Sequence, residues 1–393
     1  MVFKAPRLGD DPPCPSTARA RMNTMAEFDS ALNRRDWLGA VAGLGLATGL
    51  ESTAAAWAAD TPIKMNFNEN PLGPSPRAKE AIRAQMNLLP RYTSDLGDAF
   101  RAQVAQLEGV APEQIFLGEL LEVFGLHLAL LGGPGGEFIY SEPGYSALVG
   151  AVAPGGGKVV AVPLNDRQED DLPALAAAVN AKTRAIYLVS PHNPSGTVSE
   201  KAALDAFIRD VSPRTLVMVD EAYLDFLNDY AERTAARFIR QGANVVVFRT
   251  FGKMYGLAGL SMGYAIVPKP LAASLAANGL GSPFEINRLA VAAASASLGD
   301  TQYVAALREL TAREREKWFQ LFERLKLRYA RSRGAFVFFE TGRPHAEFAA
   351  AMLQKGVDVG RVFPPADRWT RLSFGTPEEN AVARAAVESV LRA

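Results

Sequence analysis

The sequence is poor in the residues that form disulfides and metal sites. Its 393 residues include a single cysteine, Cys14, and three scattered histidines, His127, His192 and His345. One cysteine excludes an internal disulfide, and the histidines lack metal-ligand spacing, so we expect no metal site. There is also no excess of charge of either sign, because Lys+Arg and Asp+Glu both number 42. This balance argues against nucleic acid as the main partner.

The first 60 residues lack the apolar periodicity of a folded domain, and we interpret 1–60 as a disordered leader with an export signal. The pair Arg34 and Arg35 precedes the apolar run 39–50, which is too short to span a bilayer but suits a signal peptide. Ala56-Trp57-Ala58 follows with the form of a cleavage site. The segment resembles a bacterial twin-arginine signal. It predicts a periplasmic or exported protein that meets the membrane only during export, with a cytoplasmic protein as the alternative.

Beyond residue 60, short apolar runs alternate with helical segments. The predicted strands are 137–140, 158–162, 185–189, 216–219, 245–248 and 264–267, and the segments 172–179 and 200–210 read as crossover helices. Runs that are apolar along most of their length indicate strands buried on both faces. The pattern predicts an α/β fold, with a mostly parallel sheet and helices on both faces.

The pattern changes from residue 283 onward, where a smaller α+β domain is predicted. A long charged helix over 301–328 is followed by strands at 336–340 and 371–374, with a helix at 346–355 between them. The last helix has a capping-box start, with Thr376, Pro377 and Glu379. The predicted division is therefore a leader 1–60, an N-terminal arm 61–90, a large cofactor-binding domain 91–282 and a small domain 283–393.

Polar side chains follow three successive predicted strands. Asn193 lies in a turn rich in Pro and Gly, Asp220 and Tyr223 follow the next strand, and Lys253 lies in a Gly-rich loop after the third. Taken singly, the Asp is typical of a helix cap and the Lys of a solvated surface. Ligands of parallel sheets bind at the carboxyl ends of strands, so we expect these side chains to converge.

Pyridoxal 5'-phosphate is the cofactor that needs this set. A desolvated lysine has a lowered pKa and forms a Schiff base with the cofactor aldehyde. A carboxylate keeps the pyridine nitrogen protonated, which makes the ring an electron sink, while Asn and Tyr side chains hydrogen-bond the phenolic oxygen.

From Met65 onward, the sequence resembles the fold-type I, class I and II aminotransferases, nearest to the histidinol-phosphate aminotransferase branch. The segment from Asn66 to Pro76, the pair Arg91-Tyr92 and the segment around Tyr145 carry the likeness. The resemblance implies that Tyr145 stacks on the cofactor ring. It also implies that Tyr92 reaches the cofactor phosphate of a neighbouring subunit, and hence a homodimer with shared sites.

The resemblance also implies the substrate contacts. Arg371 matches the arginine that binds the substrate α-carboxylate, a group that suits a guanidinium fork. Arg361 resembles a second basic residue that meets the side chain or phosphate of the substrate, and Asn70 belongs to the N-terminal segment that lines the active site. The expected small-molecule partners are an amino donor and a 2-oxo acid acceptor.

Two elements of the cofactor-phosphate site depart from the family. The loop before the first large-domain helix reads Gly118-Glu119-Leu120, and Ser261 stands where the family has a phosphate-binding arginine. A helix start after Gly118 still offers backbone amides to a phosphate. Thr250 remains as a hydroxyl donor, and Arg249 is a candidate replacement base.

The resulting hypothesis is a pyridoxal-phosphate-dependent transaminase in which Lys253 is catalytic. Two alternatives share the fold. One is a decarboxylase, which would release carbon dioxide, and the other is a binding protein that has lost the cofactor.

Overall fold

The computed structural model describes residues 61–282 and 286–392. The predicted export signal, with Arg34 and Arg35, lies outside these residues. Within the described part of the chain, no helix is both long and apolar enough to cross a membrane.

A seven-stranded sheet forms the larger layer, in the order β2-β8-β7-β6-β5-β3-β4. Its strands are β2 (Ile115–Leu117), β3 (Glu137–Glu142), β4 (Lys158–Pro163), β5 (Thr183–Val189), β6 (Leu216–Asp220), β7 (Val245–Thr250) and β8 (Gly263–Ile266). Strand β8 pairs antiparallel with both neighbours, and β3 to β7 pair in parallel. The mostly parallel α/β fold is therefore confirmed.

Helices cover the sheet on both faces, which gives two separate apolar clusters. The helices of this part of the chain are α1 (Pro76–Gln85), α2 (Ser94–Glu108), α3 (Leu121–Leu130), α4 (Ala147–Gly150), α5 (Leu172–Ala178), α6 (Lys201–Val211), α7 (Tyr230–Arg233), α8 (Ala236–Arg240), α9 (Lys269–Ala277) and α10 (Arg288–Leu298). All of them except the short α7, which has no buried residue, contribute to these clusters. Successive side chains of a strand point to opposite faces. Accordingly, Val217 and Val219 lie in one cluster, and Leu216 and Met218 lie in the other.

The chain after α10 folds on a second, antiparallel pair of strands. This part contains α11 (Thr301–Arg324), β9 (Phe336–Glu340), α12 (His345–Gln354), β10 (Val357–Asp358), β11 (Trp369–Ser373) and α13 (Pro377–Arg392). The predicted capping box of α13 is present, because Thr376 N donates to Glu379 Oε2 at 2.8 Å and Glu379 N donates to Thr376 Oγ1 at 3.2 Å. The four-part domain division stays a prediction.

The N-terminal strand β1 (Ile63–Lys64) pairs in parallel with β10, far along the chain. Just after β1, Met65 is buried in the apolar cluster between β9, α12 and α13. The segment that follows β1 is thereby held beside the polar ends of the large sheet.

One expectation about the strands is wrong. The run 158–162 was expected to be buried on both faces, but β4 is an edge strand whose residues are mostly exposed, with Val159 at 46%. An edge strand has a neighbouring strand on one side alone, so its side chains can remain exposed even when they are apolar.

Candidate active site

The ends of β5, β6 and β7 meet at one cavity, because these strands are direct neighbours in the sheet. The cavity has a volume of about 460 Å³. Of the site residues predicted from the sequence, those that line it are Asn193, Asp220, Tyr223, Lys253, Tyr145, Thr250, Gly118, Arg371 and Arg361. The convergence of three strand ends at one pocket is therefore a feature of the structure.

Lys253 lies in the loop between β7 and β8, with its amine inside the cavity. Its Nζ donates a hydrogen bond to the Phe67 carbonyl oxygen at 2.9 Å. Burial lowers the pKa of the Lys253 amine, and the nearby Arg371 charge lowers it further. The loop turns at Gly256, which has a φ of 68°. A Cβ there would overlap the backbone of Gly73, so a glycine is required.

Asp220 ends β6 as a buried carboxyl group with two hydrogen-bond donors. The Tyr187 hydroxyl donates to Asp220 Oδ2 at 2.8 Å, and Ala222 N donates to Oδ1 at 3.0 Å. Burial raises the pKa of Asp220 to about 6, against the lowering effect of these donors and of Lys253. A carboxylate in this setting is strongly stabilised by a positive partner.

Two side-chain amides form hydrogen bonds with the Tyr223 hydroxyl. It accepts hydrogen bonds from Asn68 Nδ2 at 2.9 Å and from Asn193 Nδ2 at 3.4 Å. Burial raises the pKa of Tyr223, so the hydroxyl keeps its proton and can donate it to a ligand oxygen. Asn193 is thereby oriented between Tyr223 and the neighbouring guanidinium.

Arg371 lies on β11 and enters the cavity as a buried cation. Its Nη1 donates to Asn193 Oδ1 at 2.7 Å, and its Nη2 donates to the Asn66 carbonyl oxygen. Its Nε is buried without a hydrogen-bond partner among the described residues. Burial lowers the pKa of Arg371 to about 10. A buried guanidinium with an unpaired N–H is a strong site for an anionic ligand.

Arg361 and Tyr145 also line the cavity, together with Arg371. Arg371 and Arg361 lie over the Phe363 ring, at 4.9 Å and 4.7 Å from its centroid. Tyr145 is partly buried, and burial raises the pKa of its hydroxyl to about 12. Tyr145 also packs on the apolar cluster behind the sheet, as its position after β3 allows.

The remaining wall is formed by the start of α3 and the end of β7. It contains Gly118 and Glu119 together with Thr250, whose Oγ1 accepts a hydrogen bond from Gly252 N at 3.0 Å. Ser261 is exposed at the end of a short helical turn and is not part of the cavity lining.

Arg249 also lines the cavity, but its charge is already matched. It forms ion pairs with Glu221 at 2.9 Å and with Asp225 at 3.5 Å. Burial lowers the pKa of Arg249, but Glu221, followed by Tyr264 and Asp225, raises it by more, so the guanidinium stays charged and paired. The structure therefore does not favour Arg249 as a replacement base for a phosphate.

Two predicted residues lie outside the cavity lining. Asn70 Nδ2 donates to the Met254 carbonyl at 3.0 Å and to the Tyr303 hydroxyl at 3.2 Å, which braces the segment beside Lys253. Tyr92 is 79% exposed. Their assigned roles, at the substrate and at a neighbouring subunit, stay predictions.

Sequence reasoning missed several contacts of the site. It did not identify Tyr187 as the donor to Asp220, Asn68 as a partner of Tyr223, or the carbonyl groups of Asn66 and Phe67 as acceptors. The likeness of the segment after Met65 was the available signal. It indicated that the segment reaches the site but not which atoms do so.

The donor set fits pyridoxal phosphate. A lysine amine of lowered pKa, a buried carboxyl group and a Tyr–Asn pair surround one cavity, which is the arrangement that the aldehyde, ring nitrogen and phenolic oxygen require. Fold and site are thus those of a pyridoxal-phosphate enzyme on a mostly parallel α/β sheet, with Lys253 as the predicted attachment residue.

Comparison with known proteins shows to which family of pyridoxal-phosphate enzymes this chain belongs. The sequence profile of aminotransferase class I and II matches residues 60–387, and the chain belongs to this family. Histidinol-phosphate aminotransferase of Symbiobacterium thermophilum is 39% identical over 322 residues, or 81% of this chain and 87% of that protein. Histidinol-phosphate aminotransferase 2 of Ralstonia nicotianae is 38% identical over 84% of this chain and 88% of that protein.

A solved structure agrees with the sequence comparison. The crystal structure of histidinol-phosphate aminotransferase from Sinorhizobium meliloti, in complex with pyridoxal-5'-phosphate, has a TM-score of 0.74 and 27% identity. The match covers 88% of this chain and 96% of that one. The prediction of a pyridoxal-phosphate-dependent aminotransferase is therefore confirmed.

Proposed function

We propose that this aminotransferase moves an amino group from an amine donor that carries an anionic group to a 2-oxo acid, in two half-reactions. The supporting observation is that one cavity places the Lys253 amine near Arg371, whose buried Nε has no partner among the described residues. The first group can exchange a proton and the second can bind the anion.

Each side chain of the site has its own role in this reaction. When bound, the cofactor supplies an electron sink for the bond broken at the donor α-carbon. Lys253 Nζ takes the proton from that carbon and later returns a proton, and its lowered pKa favours the neutral amine required of a base. Asp220 holds the proton of the ring nitrogen in place. Tyr223 and Asn193 orient the ring through hydrogen bonds.

The two arginines over Phe363 support a donor with a carboxylate or a phosphate. Arg371 is buried and Arg361 is exposed at the rim, so they provide one inner and one outer anion contact. The similar proteins are named for histidinol phosphate, an amine with a phosphate group. We infer phosphorylated amines as the first donors to test, with 2-oxoglutarate as the acceptor.

We also propose that the protein acts as a homodimer. Apolar side chains close to the N-terminal helix are exposed, with Met86 at 50%, Leu89 at 52% and Tyr92 at 79%. A second copy would cover them and would bring Tyr92 to the partner's site, as the family likeness implies. Analytical ultracentrifugation gives the mass in solution. A monomer with full cofactor affinity would contradict this proposal.

Export through a twin-arginine signal is a further proposal. It is supported by the Arg34–Arg35 pair ahead of an apolar run. Fractionation of the native host should find the protein in the periplasm. Replacing both arginines by lysine should retain it in the cytoplasm, whereas unchanged export would refute this assignment.

The decisive test is the absorption spectrum of the protein reconstituted with pyridoxal phosphate, recorded before and after a panel of amino donors. A visible cofactor band that bleaches with one donor, together with the matching 2-oxo product and without carbon dioxide, is the expected result. Lys253→Ala should lose the band and its turnover while keeping its circular dichroism spectrum. A bleached band with carbon dioxide release would instead support the decarboxylase.

A further inference from the structure

The cavity has one wall that the groups described above do not use. Lys253, Asp220 and Tyr223 fix the cofactor ring, and the arginines over Phe363 take the donor. The wall that remains is formed by residues 118–121, which lead into α3, by Thr250 at the end of β7 and by Gly252 just beyond it. The cofactor's phosphate belongs at this wall, since backbone amides at a helix start favour anions.

This wall lacks an available cation. Four cationic side chains are found among the described residues of the cavity lining: Lys253, Arg249, Arg361 and Arg371. Lys253 is used by the cofactor aldehyde, and Arg249 is paired with two carboxylates. The two remaining arginines lie together over one phenyl ring, with the donor site.

Instead, the wall carries a carboxyl group, Glu119. The titratable groups that interact electrostatically with Glu119 are Glu122 on α3, Lys253 on the loop after β7, Asp220 at the end of β6, and Tyr145 after β3. Partial burial raises the pKa of Glu119, Glu122 raises it further, and Lys253 lowers it in part. A phosphate dianion at this wall would raise it again.

We propose that Glu119, carrying a proton, donates a hydrogen bond to the cofactor's phosphate, so that the cofactor binds with uptake of one proton. The proposal rests on the cofactor assignment above. A carboxyl and a phosphate that share one proton avoid the repulsion of two anions and form a short O–H···O hydrogen bond of the strong, charge-assisted kind. Because phosphate monoesters have a second pKa of about 6, a shared proton is accessible near neutral pH.

The test uses pyridoxamine 5'-phosphate and pyridoxamine, which bind without a bond to Lys253 and differ by the phosphate alone. Calorimetric titration between pH 6 and 8.5 gives the dissociation constant, and repetition in buffers of different ionisation enthalpy gives the protons taken up. Glu119→Gln keeps an N–H donor at every pH without a proton to lose. The ratio of wild-type to variant dissociation constant for the phosphorylated ligand should therefore rise by about tenfold per pH unit once Glu119 ionises.

Three further results decide the matter. Proton uptake should be about one lower in Glu119→Gln than in the wild type, and pyridoxamine should show no such difference. The control Glu122→Gln removes an exposed carboxylate from the first turn of α3, three residues after Glu119. Because Glu122 raises the pKa of Glu119, this variant should start the rise at a lower pH but keep the slope itself. Equal slopes in the wild type and Glu119→Gln would overturn the role of Glu119. If neither ligand bound to the wild type, the cofactor assignment would fail and this proposal with it.

Discussion

Asp220 should make the cofactor-free protein less stable than it would be with an uncharged residue. Its pKa is raised from 3.8 to about 6 by burial, so the folded protein binds a proton that the unfolded chain has already released. Stability is therefore lost as the pH rises through the window between these two values. The shift of about two pH units corresponds to about 3 kcal/mol, with roughly half of the loss present by pH 5.

The substitution Asp220→Asn isolates this effect, because it keeps the size of the side chain and removes the charge. We expect the difference in the free energy of unfolding between variant and wild type to grow by about 1.5 kcal/mol from pH 5 to pH 8. With an unfolding entropy of about 2.1 cal/mol/K per residue, this is about 2 °C in Tm. Differential scanning calorimetry of the cofactor-free proteins measures it.

Asp210→Asn is the matched control, since it makes the same substitution at an exposed position near the end of α6, where Asp210 pairs with Arg214 instead of being buried. Saturating pyridoxal phosphate should reverse the order, because the charged carboxylate then has a positive partner. A pH-independent difference for Asp220→Asn would refute the reasoning that burial keeps this group protonated.

Three other substitutions test a hydrogen bond of the site, the turn after Lys253 and a helix cap. Asn193→Ala removes the hydrogen-bond acceptor of Arg371 Nη1. Because hydrogen bonds to buried charges are worth about 1.5–3 kcal/mol, the KM for an anionic donor should rise about 10- to 100-fold. An unchanged KM would show that this bond does not position the guanidinium. Gly256→Ala should destabilise the protein by more than about 2 kcal/mol in urea unfolding, because it adds a Cβ at positive φ against a neighbouring backbone. Gly259→Ala, which meets open space, is its control, and equal effects would contradict the clash. Thr376→Ala should cost about 1 kcal/mol in the same assay through loss of the helix cap, whereas Thr376→Ser should cost little; equal losses would argue against capping.

The convergence of the site was predictable because of how parallel sheets are connected. Successive strands joined by crossover helices tend to lie side by side, and their carboxyl ends share one edge. Asn193, Asp220 and Lys253 follow β5, β6 and β7, so order along the chain becomes neighbourhood in space. The start of α13 was predictable for a local reason, since a capping box depends on the types of only four consecutive residues.

Contacts between distant segments were not predictable in the same way. The exposure of β4 depends on its place at the sheet edge, which its own composition does not encode. The pairing of Arg249 with Glu221 and Asp225 depends on which charges the fold brings within 3.5 Å, so a base that looked available from the sequence is already paired. The use of Asn70 as a brace depends on the positions of Met254 and Tyr303.

The hydrogen bonds between the N-terminal segment and β11 also set the order in which the site can form during synthesis. Asn66 bonds Arg371 and Asn68 bonds Ser373, and each pair is separated by 305 positions. At a translation rate of about 5–20 residues per second, roughly 15 to 60 s pass between synthesis of the two partners. A nascent chain on the ribosome therefore carries Asp220 and Lys253 well before Arg371. A prematurely terminated chain that retains the whole large sheet would still lack this arginine.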